Sequence, residues 1–306
     1  MARATVIIEC GQTSGLGRVR RTLTLAAALE VQGFDITVVL SSMEGKSLVE
    51  ALGFEARLDM PTDLSDDLVV IDTCSQSALE INKICCASRV SLVIDDLAER
   101  PVVCDYLVNP NLYAHGLDYS AYTIGRAFLG SDFTLVDQRF FRAAKSERDR
   151  KGIVVSFGGT DNGTLALPVI KALLERTDMP VFLPVPDYVE PISALDALVR
   201  AESSVHLIRA ADMPSLLGAS KVFLGAAGAT VLEALAAGCR VCATATQPDQ
   251  HKNVAYLPRV GVMSSEVYDP EILADMAVTA LKDTAIAVPL NSCAAYNIAT
   301  TISSHI

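Results

Sequence analysis

The chain has 306 residues, of which 51% are hydrophobic and 20% charged, and its formal net charge at pH 7 is −11. This length is typical of two α/β domains, and the hydrophobic content excludes global disorder. The acidic balance leaves no broad positive surface for a nucleic-acid backbone, so we expect no nucleic-acid partner.

We also expect a cytoplasmic protein with no membrane span. The first apolar run, Val6-Ile7-Ile8, is too short for a signal segment and is followed by Glu9. The most apolar stretch, 222–238, consists largely of alanine and glycine and contains Glu233, which predicts a buried strand and helix. Eight cysteines without a small-scaffold pattern favour reduced thiols.

Cys239 and Cys242 form an isolated C-x-x-C motif, and Cys85 and Cys86 are adjacent. A structural zinc site needs four ligands, and no second pair follows at metal spacing. We therefore expect buried thiols, no metal and no cofactor.

Short apolar runs alternate with helical stretches along the whole chain. Strands are predicted at 5–9, 34–40, 67–71, 90–94 and 106–108, with helices at 18–32, 44–52 and 77–87. A charged segment at 142–152 predicts a linker. The pattern then restarts, with strands at 153–157, 181–185, 205–208, 222–224 and 241–243 and helices at 164–175, 213–219, 229–237, 252–258 and 270–283.

This alternation predicts an α/β fold with two Rossmann-like, doubly wound domains in series. The first covers residues 1–145, and the second, which we expect to bind the nucleotide, covers 151–285. Residues 286–306 are predicted to be helical and to pack near the domain junction. Ligands bind at the carboxyl ends of strands in doubly wound sheets, so we expect the two domains to face a cleft.

A glycine-rich loop at 11–17 leads from the first strand into the first helix. Glycines such as Gly15 and Gly17 let the backbone approach an anion, and the N–H groups of a helix start stabilise negative charge. The spacing matches neither a P-loop nor a dinucleotide fingerprint, and such a turn is as often structural as ligand-binding.

Two loops of the second half have the composition of ligand-binding segments. Gly228, Ala229 and Thr230 open a small-residue helix that would hold a diphosphate, and Glu233, placed on its first turn, would reach a ribose diol. The alternative is a packed alanine-rich helix with a solvated glutamate. Residues 247–253 are densely polar, which suits sugar hydroxyls or phosphates but also a merely solvated loop.

Taken in order, these segments resemble a known family, the UDP-2,4-diacetamido-2,4,6-trideoxy-β-L-altropyranose hydrolases of pseudaminic acid biosynthesis. The resemblance is collinear from residue 5 to residue 262. It is carried by Gly15-Leu-Gly17-Arg18-Val-Arg-Arg21, Asp95-Asp96, 104–111, 130–140, Ser156-Phe-Gly158-Gly159-Thr160-Asp161 and 225–238.

That family is similar to the two-domain nucleotide-sugar glycosyltransferases of GT-B type, which include the enzyme that adds N-acetylglucosamine to lipid I. The resemblance implies a GT-B fold in which Gly228, Ala229 and Thr230 receive the diphosphate and Glu233 the ribose. The implied substrate- and nucleotide-binding set also contains Gly15, Gly17, Arg21, Gly158, Gly159, Thr160, Asp161, Asp249, Gln250 and Asn253.

The chain departs from the family pattern in its first half. The family loop is G-x-G-H-x-x-R, whose histidine is expected to activate or position water, and this chain has Arg18 there. Thr73-Cys74 stands where the family commonly has an aromatic residue. Near Leu135-Val136 the family has a basic residue, and this chain has Asp137 there. The nucleotide half is therefore retained and the reaction half altered.

Arg18 cannot act as a base, because the pKa of arginine is about 12–13.8. It is a candidate ligand for a diphosphate or a substrate carboxylate, or it neutralises a surface charge. Candidate bases are Asp95, Asp96 and Asp161, with His251 less favoured.

The resemblance implies an enzyme that cleaves the anomeric C–O bond of a UDP-sugar and releases UDP. The attacking group is water in a hydrolase or an acceptor hydroxyl in a glycosyltransferase. The alternative from another class is a non-catalytic nucleotide-sugar binding protein.

Overall fold

The structure is a computed structural model that describes residues 2–11, 16–60, 66–187, 189–283 and 288–306. Its strands form where Val, Ile and Leu follow one another, since strands of a parallel sheet are buried on both faces and need no polar alternation. Every strand pair in the described residues is parallel.

The strands and helices have the following bounds. The strands are β1 (Ala2–Ile8), β2 (Phe34–Leu40), β3 (Glu55–Arg57), β4 (Leu68–Asp72), β5 (Val90–Ile94), β6 (Val103–Asn109), β7 (Thr123–Leu129), β8 (Ile153–Ser156), β9 (Val181–Val185), β10 (Val205–Arg209), β11 (Val222–Ala226), β12 (Arg240–Thr244) and β13 (Met263–Ser265). The helices are α1 (Gly17–Val31), α2 (Lys46–Ala51), α3 (Ala78–Ala87), α4 (Gln138–Ala143), α5 (Ala166–Leu174), α6 (Ser193–Ala201), α7 (Met213–Ala219), α8 (Ala229–Ala236), α9 (His251–Tyr256), α10 (Pro270–Lys282) and α11 (Ala294–Ser303).

These elements form two parallel sheets. The first has the strand order β3-β2-β1-β4-β5-β6-β7, and the second has the order β10-β9-β8-β11-β12-β13. In each sheet the chain starts at a central strand and adds strands toward one edge, then returns to the centre and adds strands toward the other edge. The strand order therefore reverses between β1 and β4 and between β8 and β11. Doubly wound sheets bind ligands at this reversal, outside the carboxyl ends of the strands.

The described residues divide into two compact units, Met1–Val136 with Pro289–Ile306, and Asp137–Val288. The last helix, α11, belongs to the first unit, where Ile298 and Ile302 are buried in the same core as Leu25 and Leu29 of α1. No helix in the part of the chain that the structure describes is long and apolar enough to cross a membrane.

Residues 142–152, expected to form a linker, are instead fixed to the second unit. The main-chain N–H groups of Lys145 and Lys151 donate to the carbonyls of Gly218 and Ala219 at 3.2 and 2.8 Å. A Cβ on Gly218 would lie 2.1 Å from the carbonyl oxygen of Ala143, so only glycine allows this close packing. The charged residues therefore belong to a largely exposed segment that is hydrogen-bonded to the second unit, not to a free linker.

Candidate functional site

The second unit places two glycine-containing loops side by side at its strand reversal. β8 leads into Phe157-Gly158-Gly159, and the neighbouring β11 leads into Ala227-Gly228. Gly225 allows these strands to approach, because a Cβ at that position would lie 1.8 Å from the carbonyl oxygen of Ser156. The loops expected to bind the nucleotide are thus neighbours at the carboxyl edge of one sheet.

The start of α8 offers unused hydrogen-bond donors at this edge. Gly228 is the N-cap residue with extended backbone and no side-chain cap. Within the described ranges, the main-chain N–H groups of Ala229 and Thr230 have no hydrogen-bond acceptor. Such N–H groups at a helix start bind anions, because they need an acceptor and because the helix dipole is positive there.

Two of the predicted binding residues of the polar segment lie beside Gly228. The side chain of Asn253 donates to the carbonyl of Ala227 at 2.9 Å. Gln250 accepts from the main chain of Thr246 at 2.9 Å, and its Nε2 lies 3.7 Å from the place a Cβ on Gly228 would take. Gln250 and Asn253 therefore form one side of the candidate site.

Other predicted residues of this segment lie at the protein surface. Asp249 and His251 are both exposed. Neither is among the side chains that contact Gly228 in the described residues. Their predicted roles in binding or proton transfer stay predictions.

Glu233 is buried, with only 8% of its surface exposed. It is the fifth residue of α8, so it begins the second turn and does not lie on the first, as the sequence analysis expected. The helix begins at Ala229, as the sequence analysis predicted, so its first turn of about 3.6 residues ends before Glu233. A largely desolvated carboxylate near a helix start forms strong hydrogen bonds with ligand hydroxyls.

The loop after β8 begins with three accessible residues, 158–160. Gly158 is exposed with a φ of +105°, and a Cβ there would contact nothing within 4 Å. Thr160 is exposed, and Gly159 is half-buried. Gly158, Gly159 and Thr160 are therefore accessible at the carboxyl edge of the second sheet.

Asp161 caps the start of α5. Its Oδ1 accepts from the N–H groups of Gly163 and Leu165 at 3.1 Å each, and its Oδ2 accepts from Ala166 at 3.2 Å. Both carboxylate oxygens are occupied by backbone, as in helix N-caps that satisfy the first-turn donors. This geometry gives the carboxylate a structural task, and its expected contact with nucleotide or water stays a prediction.

In the first unit, a charged network lies at the reversal between β1 and β4. Arg21 of α1 donates to both oxygens of Asp72 at 2.8 and 2.7 Å and to both oxygens of Asp96 at 2.8 and 2.9 Å. Thr22 donates to Asp72 at 2.6 Å, and Asn111 donates to Asp96 at 2.7 Å. Arg21 therefore fixes α1 to two strand ends, and its N–H groups are directed at protein carboxylates and not at a nucleotide.

The pKa values in this network follow from the ion pairs. Burial alone would raise the pKa of Asp96, but the charge and hydrogen bonds of Arg21, with Arg18 and Asn111, hold it below its usual range. Desolvation alone would lower the pKa of Arg21, but Asp72 and Asp96 raise it well above its usual value. A carboxylate with a lowered pKa is a weak base, so Asp96 is poorly suited to accept a proton.

Arg18 lies in the same network. Its Nε is 3.9 Å from Oδ1 of Asp72, and 12% of its side-chain surface is exposed. It is therefore mostly buried, which argues against the alternative of a surface charge. Gly17 is the first residue of α1, whereas Gly15 lies outside the described residues.

Asp95 holds the turn that follows β5. Its Oδ1 accepts from the N–H groups of Leu97 and Ala98 at 2.9 and 3.2 Å, and its Oδ2 accepts from the hydroxyl of Tyr122 at 2.6 Å. Only 3% of its surface is exposed. This carboxylate is buried and bonded at both oxygens, and its role as a general base stays a prediction.

Glu9 is a component of this edge that the sequence analysis did not single out. Its carboxylate accepts from the N–H groups of Cys74 and Ser75 at 2.7 and 2.8 Å, and also from their side chains. Burial alone would raise the pKa of Glu9, but these hydrogen bonds lower it to about 2. Glu9 therefore ties the end of β1 to the loop after β4 as a permanent anion. The sequence signal that could have identified Glu9 is its position directly after an apolar strand.

The cysteines do not form a metal site in the part of the chain that is described. Burial raises the pKa of Cys239 and of Cys242 to about 12, so both thiols are protonated at neutral pH. Among the described residues, no group of three or more His, Cys, Asp or Glu side chains is arranged to hold a metal ion.

Comparison with known proteins gives one sequence relative and many structural ones. No protein-family model matches the chain. The UDP-2,4-diacetamido-2,4,6-trideoxy-beta-L-altropyranose hydrolase of Campylobacter jejuni is 25% identical over an alignment of 172 residues that covers 52% of this chain and 61% of the relative. The matched region thus spans less than two thirds of that hydrolase.

Solved structures match over nearly the whole chain. Arabidopsis thaliana UGT89C1 complexed with UDP has a TM-score of 0.67 at 15% identity and covers 100% of this chain and 99% of its own. MurG of Acinetobacter baumannii has a TM-score of 0.62 at 14% identity, with 99% of each chain covered. A glycosyltransferase from Rickettsia africae ESF-5 has a TM-score of 0.58 at 12% identity, with 98% and 93% covered.

At these identities the likeness shows the fold alone. Together with the two doubly wound parallel sheets, it confirms the predicted fold class, an α/β protein of GT-B type with two Rossmann-like domains.

Proposed function

We propose that this chain is a nucleotide-sugar enzyme that binds UDP through its second unit and cleaves the anomeric C–O bond of a UDP-sugar. The observation that carries the proposal is the start of α8, where the N–H groups of Ala229 and Thr230 have no acceptor among the described residues. They lie at the strand reversal, where doubly wound sheets bind phosphorylated ligands.

The diphosphate rests on this helix start, and Gly228 allows its close approach because a Cβ would narrow the space. Glu233 accepts hydrogen bonds from the ribose diol. Gln250 and Asn253 border the phosphates, and the open Gly158-Gly159 turn lies on the neighbouring strand end. UDP in the UGT89C1 structure and in the name of the Campylobacter relative supports uridine as the base.

Cleavage leaves the electron pair of the broken C–O bond on the β-phosphate of UDP. The donors at the start of α8 stabilise that charge without reorganising, which is the usual main source of rate enhancement. The eight free cysteines support a reducing, cytoplasmic location.

The attacking group defines two versions of this function. Water gives a hydrolase like the named activity of the Campylobacter relative. An acceptor hydroxyl gives a glycosyltransferase, which the name of the Rickettsia africae structure favours. Both versions use the same UDP site.

Calorimetry with UDP tests the site. Glu233→Ala is expected to weaken UDP binding by about 1.5–3 kcal/mol, the range for a lost charged hydrogen bond. Glu202→Ala is the matched control, because Glu202 is an exposed glutamate of the same unit. Unchanged affinity in folded Glu233→Ala would remove the ribose assignment, and absence of UDP binding by the native chain would refute the proposal.

A further inference from the structure

A cavity of about 50 Å³ lies at the amino edge of the second sheet, where β12 and β13 begin. The last turns of α8 and α10 close it from the helix side. Its wall is mostly apolar, with Leu235, Val241, Val262 and Met263 among the side chains, and its charged residues are Arg240 and Asp283. The UDP site proposed above is at the carboxyl edge of the same sheet, about 13 Å away along β12 at 3.3 Å per residue.

Arg240, the first residue of β12, has donors that find no acceptor. Only 10% of its side-chain surface is exposed, and its Nη2 pairs with the carboxylate of Glu147 at 2.7 Å. Its Nε and Nη1 are buried and have no hydrogen-bond partner among the described residues. A buried charged donor without an acceptor is costly, so an acceptor from outside the chain is expected to meet it.

The other polar groups around the cavity are engaged or solvated. The lining N–H groups that donate to main-chain carbonyls are those of Cys239, Arg240, Gly261, Val262 and Asp283. The thiol of Cys239 donates to the carbonyl of Leu217 at 3.0 Å, and burial raises its pKa to about 12, so it stays protonated. Asp283 is exposed, and solvent screens its charge. Of the buried polar side chains that line this cavity, Arg240 is therefore the one without enough partners in the described part of the chain.

The chemistry of Arg240 and of the wall selects the kind of ligand. A guanidinium has donors and no acceptor, so a water molecule beside it would turn its own hydrogens toward apolar side chains. Buried water needs two to four polar partners, which this wall does not offer. A carboxylate only accepts hydrogen bonds, pairs strongly with guanidinium, and can carry an aliphatic part that contacts Leu235, Val241 and Met263.

The volume of the cavity limits the length of that aliphatic part. A water-sized group needs about 10–15 Å³ of such space, so the cavity holds about three to five of these groups. This is the size of acetate, propionate or butyrate. A nucleotide or a peptide segment is too large.

We propose that this cavity is a binding site for a short aliphatic monocarboxylate, whose carboxylate pairs with the guanidinium of Arg240. Glu147 is half-exposed and shares the guanidinium with the ligand. The site lies within the second unit and at the edge of the sheet opposite to the UDP site, so it does not depend on the proposed function.

NMR of the native chain with ¹³C-labelled methionine methyl groups tests the site, because Met263 is part of the wall. The Met263 signal, identified by its loss in Met263→Leu, should shift saturably with propionate at a dissociation constant of about 1 mM, as expected for so small a ligand. The signal of Met213, which opens α7 and is not part of the wall, should not shift. Propionamide, which has the same shape without the charge, should bind at least about tenfold more weakly.

Variants of the ion pair separate the guanidinium from the rest of the cavity. Arg240→Leu should abolish the propionate shift, and Arg240→Lys should retain part of it, because the charge survives while the fork of donors is lost. Glu147→Gln should tighten binding, since it removes the competing charge. Arg200→Leu is the matched control, because Arg200 is an exposed arginine of α6 in the same unit. Calorimetry with UDP on each variant shows that the second unit is folded, and UDP affinity should be unchanged.

A Met263 signal that does not shift with acetate, propionate or butyrate would overturn the proposal and show that water alone meets the guanidinium. Propionate binding that persists in folded Arg240→Leu, or equal binding of propionamide, would overturn the pairing of carboxylate with Arg240. If Arg240→Leu does not fold, the native titration and Arg240→Lys decide, and full affinity in Arg240→Lys together with equal binding of propionamide would count against the pairing. None of these results bears on UDP binding, which is measured separately.

Discussion

Arg21 donates its Nε and Nη2 groups to the two oxygens of Asp72 at 2.8 and 2.7 Å, which joins α1 to the end of β4. The same guanidinium also binds Asp96 beyond β5. Asp72 is 1% exposed, so this pair is nearly removed from water. The carboxyl edge of the first sheet is therefore held by one side chain that spans two strand ends.

Removal of Arg21 should leave the carboxylates of Asp72 and Asp96 without the guanidinium that pairs with both of them. Arg21→Ala is expected to lower the free energy of unfolding by about 3–5 kcal/mol, as for a broken buried ion pair. Arg20→Ala is the control, because Arg20 is the exposed neighbour on the same helix. Urea denaturation that gave equal stabilities for the two variants would contradict the structural role of Arg21.

Glu9 should contribute to stability in an acid-sensitive manner. Its pKa in the folded chain is about 2, below the ordinary value of 4.5, so its contribution is present above pH 4.5 and is lost as pH falls toward 2. Glu9→Gln should cost about 1 kcal/mol at pH 7, since solvent screens this half-exposed site, and should show a flatter stability profile from pH 4.5 to 2. Glu30→Gln is the control, because Glu30 is exposed, and it should keep the native dependence of stability on pH. If Glu9→Gln also kept that dependence, Glu9 would not be the group that makes the protein acid-sensitive.

Alanine substitutions at Gly225 and Gly228 should have different effects, the first on stability and the second on UDP binding. A Cβ on Gly225 meets the Ser156 carbonyl oxygen at 1.8 Å, whereas a Cβ on Gly228 meets only the flexible Gln250 side chain at 3.7 Å. Gly225→Ala should therefore destabilise the second unit by about 1–3 kcal/mol or more, the usual cost of overpacking. Gly228→Ala should unfold as the native chain does but bind UDP at least about tenfold more weakly, a difference of about 1.4 kcal/mol. Thermal unfolding and calorimetry on both variants measure this; full UDP affinity in Gly228→Ala would exclude the helix start as the phosphate site.

Asp161 should affect stability and not nucleotide affinity. Asp161→Ala removes the acceptor of three N–H groups at the start of α5 and should cost about 0.5–2 kcal/mol, the range for a lost helix cap. Asp161→Asn should retain part of that stability, because an amide oxygen still accepts. A loss of UDP binding in folded Asp161→Asn would restore the ligand-binding role that the sequence analysis expected.

The buried strands could be predicted closely from sequence. Strands 34–40, 90–94 and 181–185 have their predicted bounds, because Val, Ile, Leu and Phe dominate each of them. β7 was missed because it is an exposed edge strand that contains Gly125 and Arg126. β3 and β13, which lie at sheet edges, were missed because three residues are too few to show an alternation of apolar and polar side chains.

The candidate site could be predicted only where its signal is local. The loop at Gly228 was recognisable because glycines and small residues precede a helix in one short segment. The partners of Arg21 are 51 and 75 residues away along the chain, and those of Glu9 are 65 and 66 residues away. Spacing within one segment holds no information about such pairs, so the sequence could not predict the ion pair of Asp96 with Arg21.

The central claim is tested most directly by UDP release from a panel of UDP-sugars, with and without candidate hydroxyl acceptors. The native chain is expected to release UDP from at least one donor, and Glu233→Ala should release it at least about tenfold more slowly at low donor concentration. Release without an acceptor would identify a hydrolase, and release that requires one would identify a glycosyltransferase. Saturable UDP-sugar binding with no release under any of these conditions would contradict the account and identify a nucleotide-sugar binding protein.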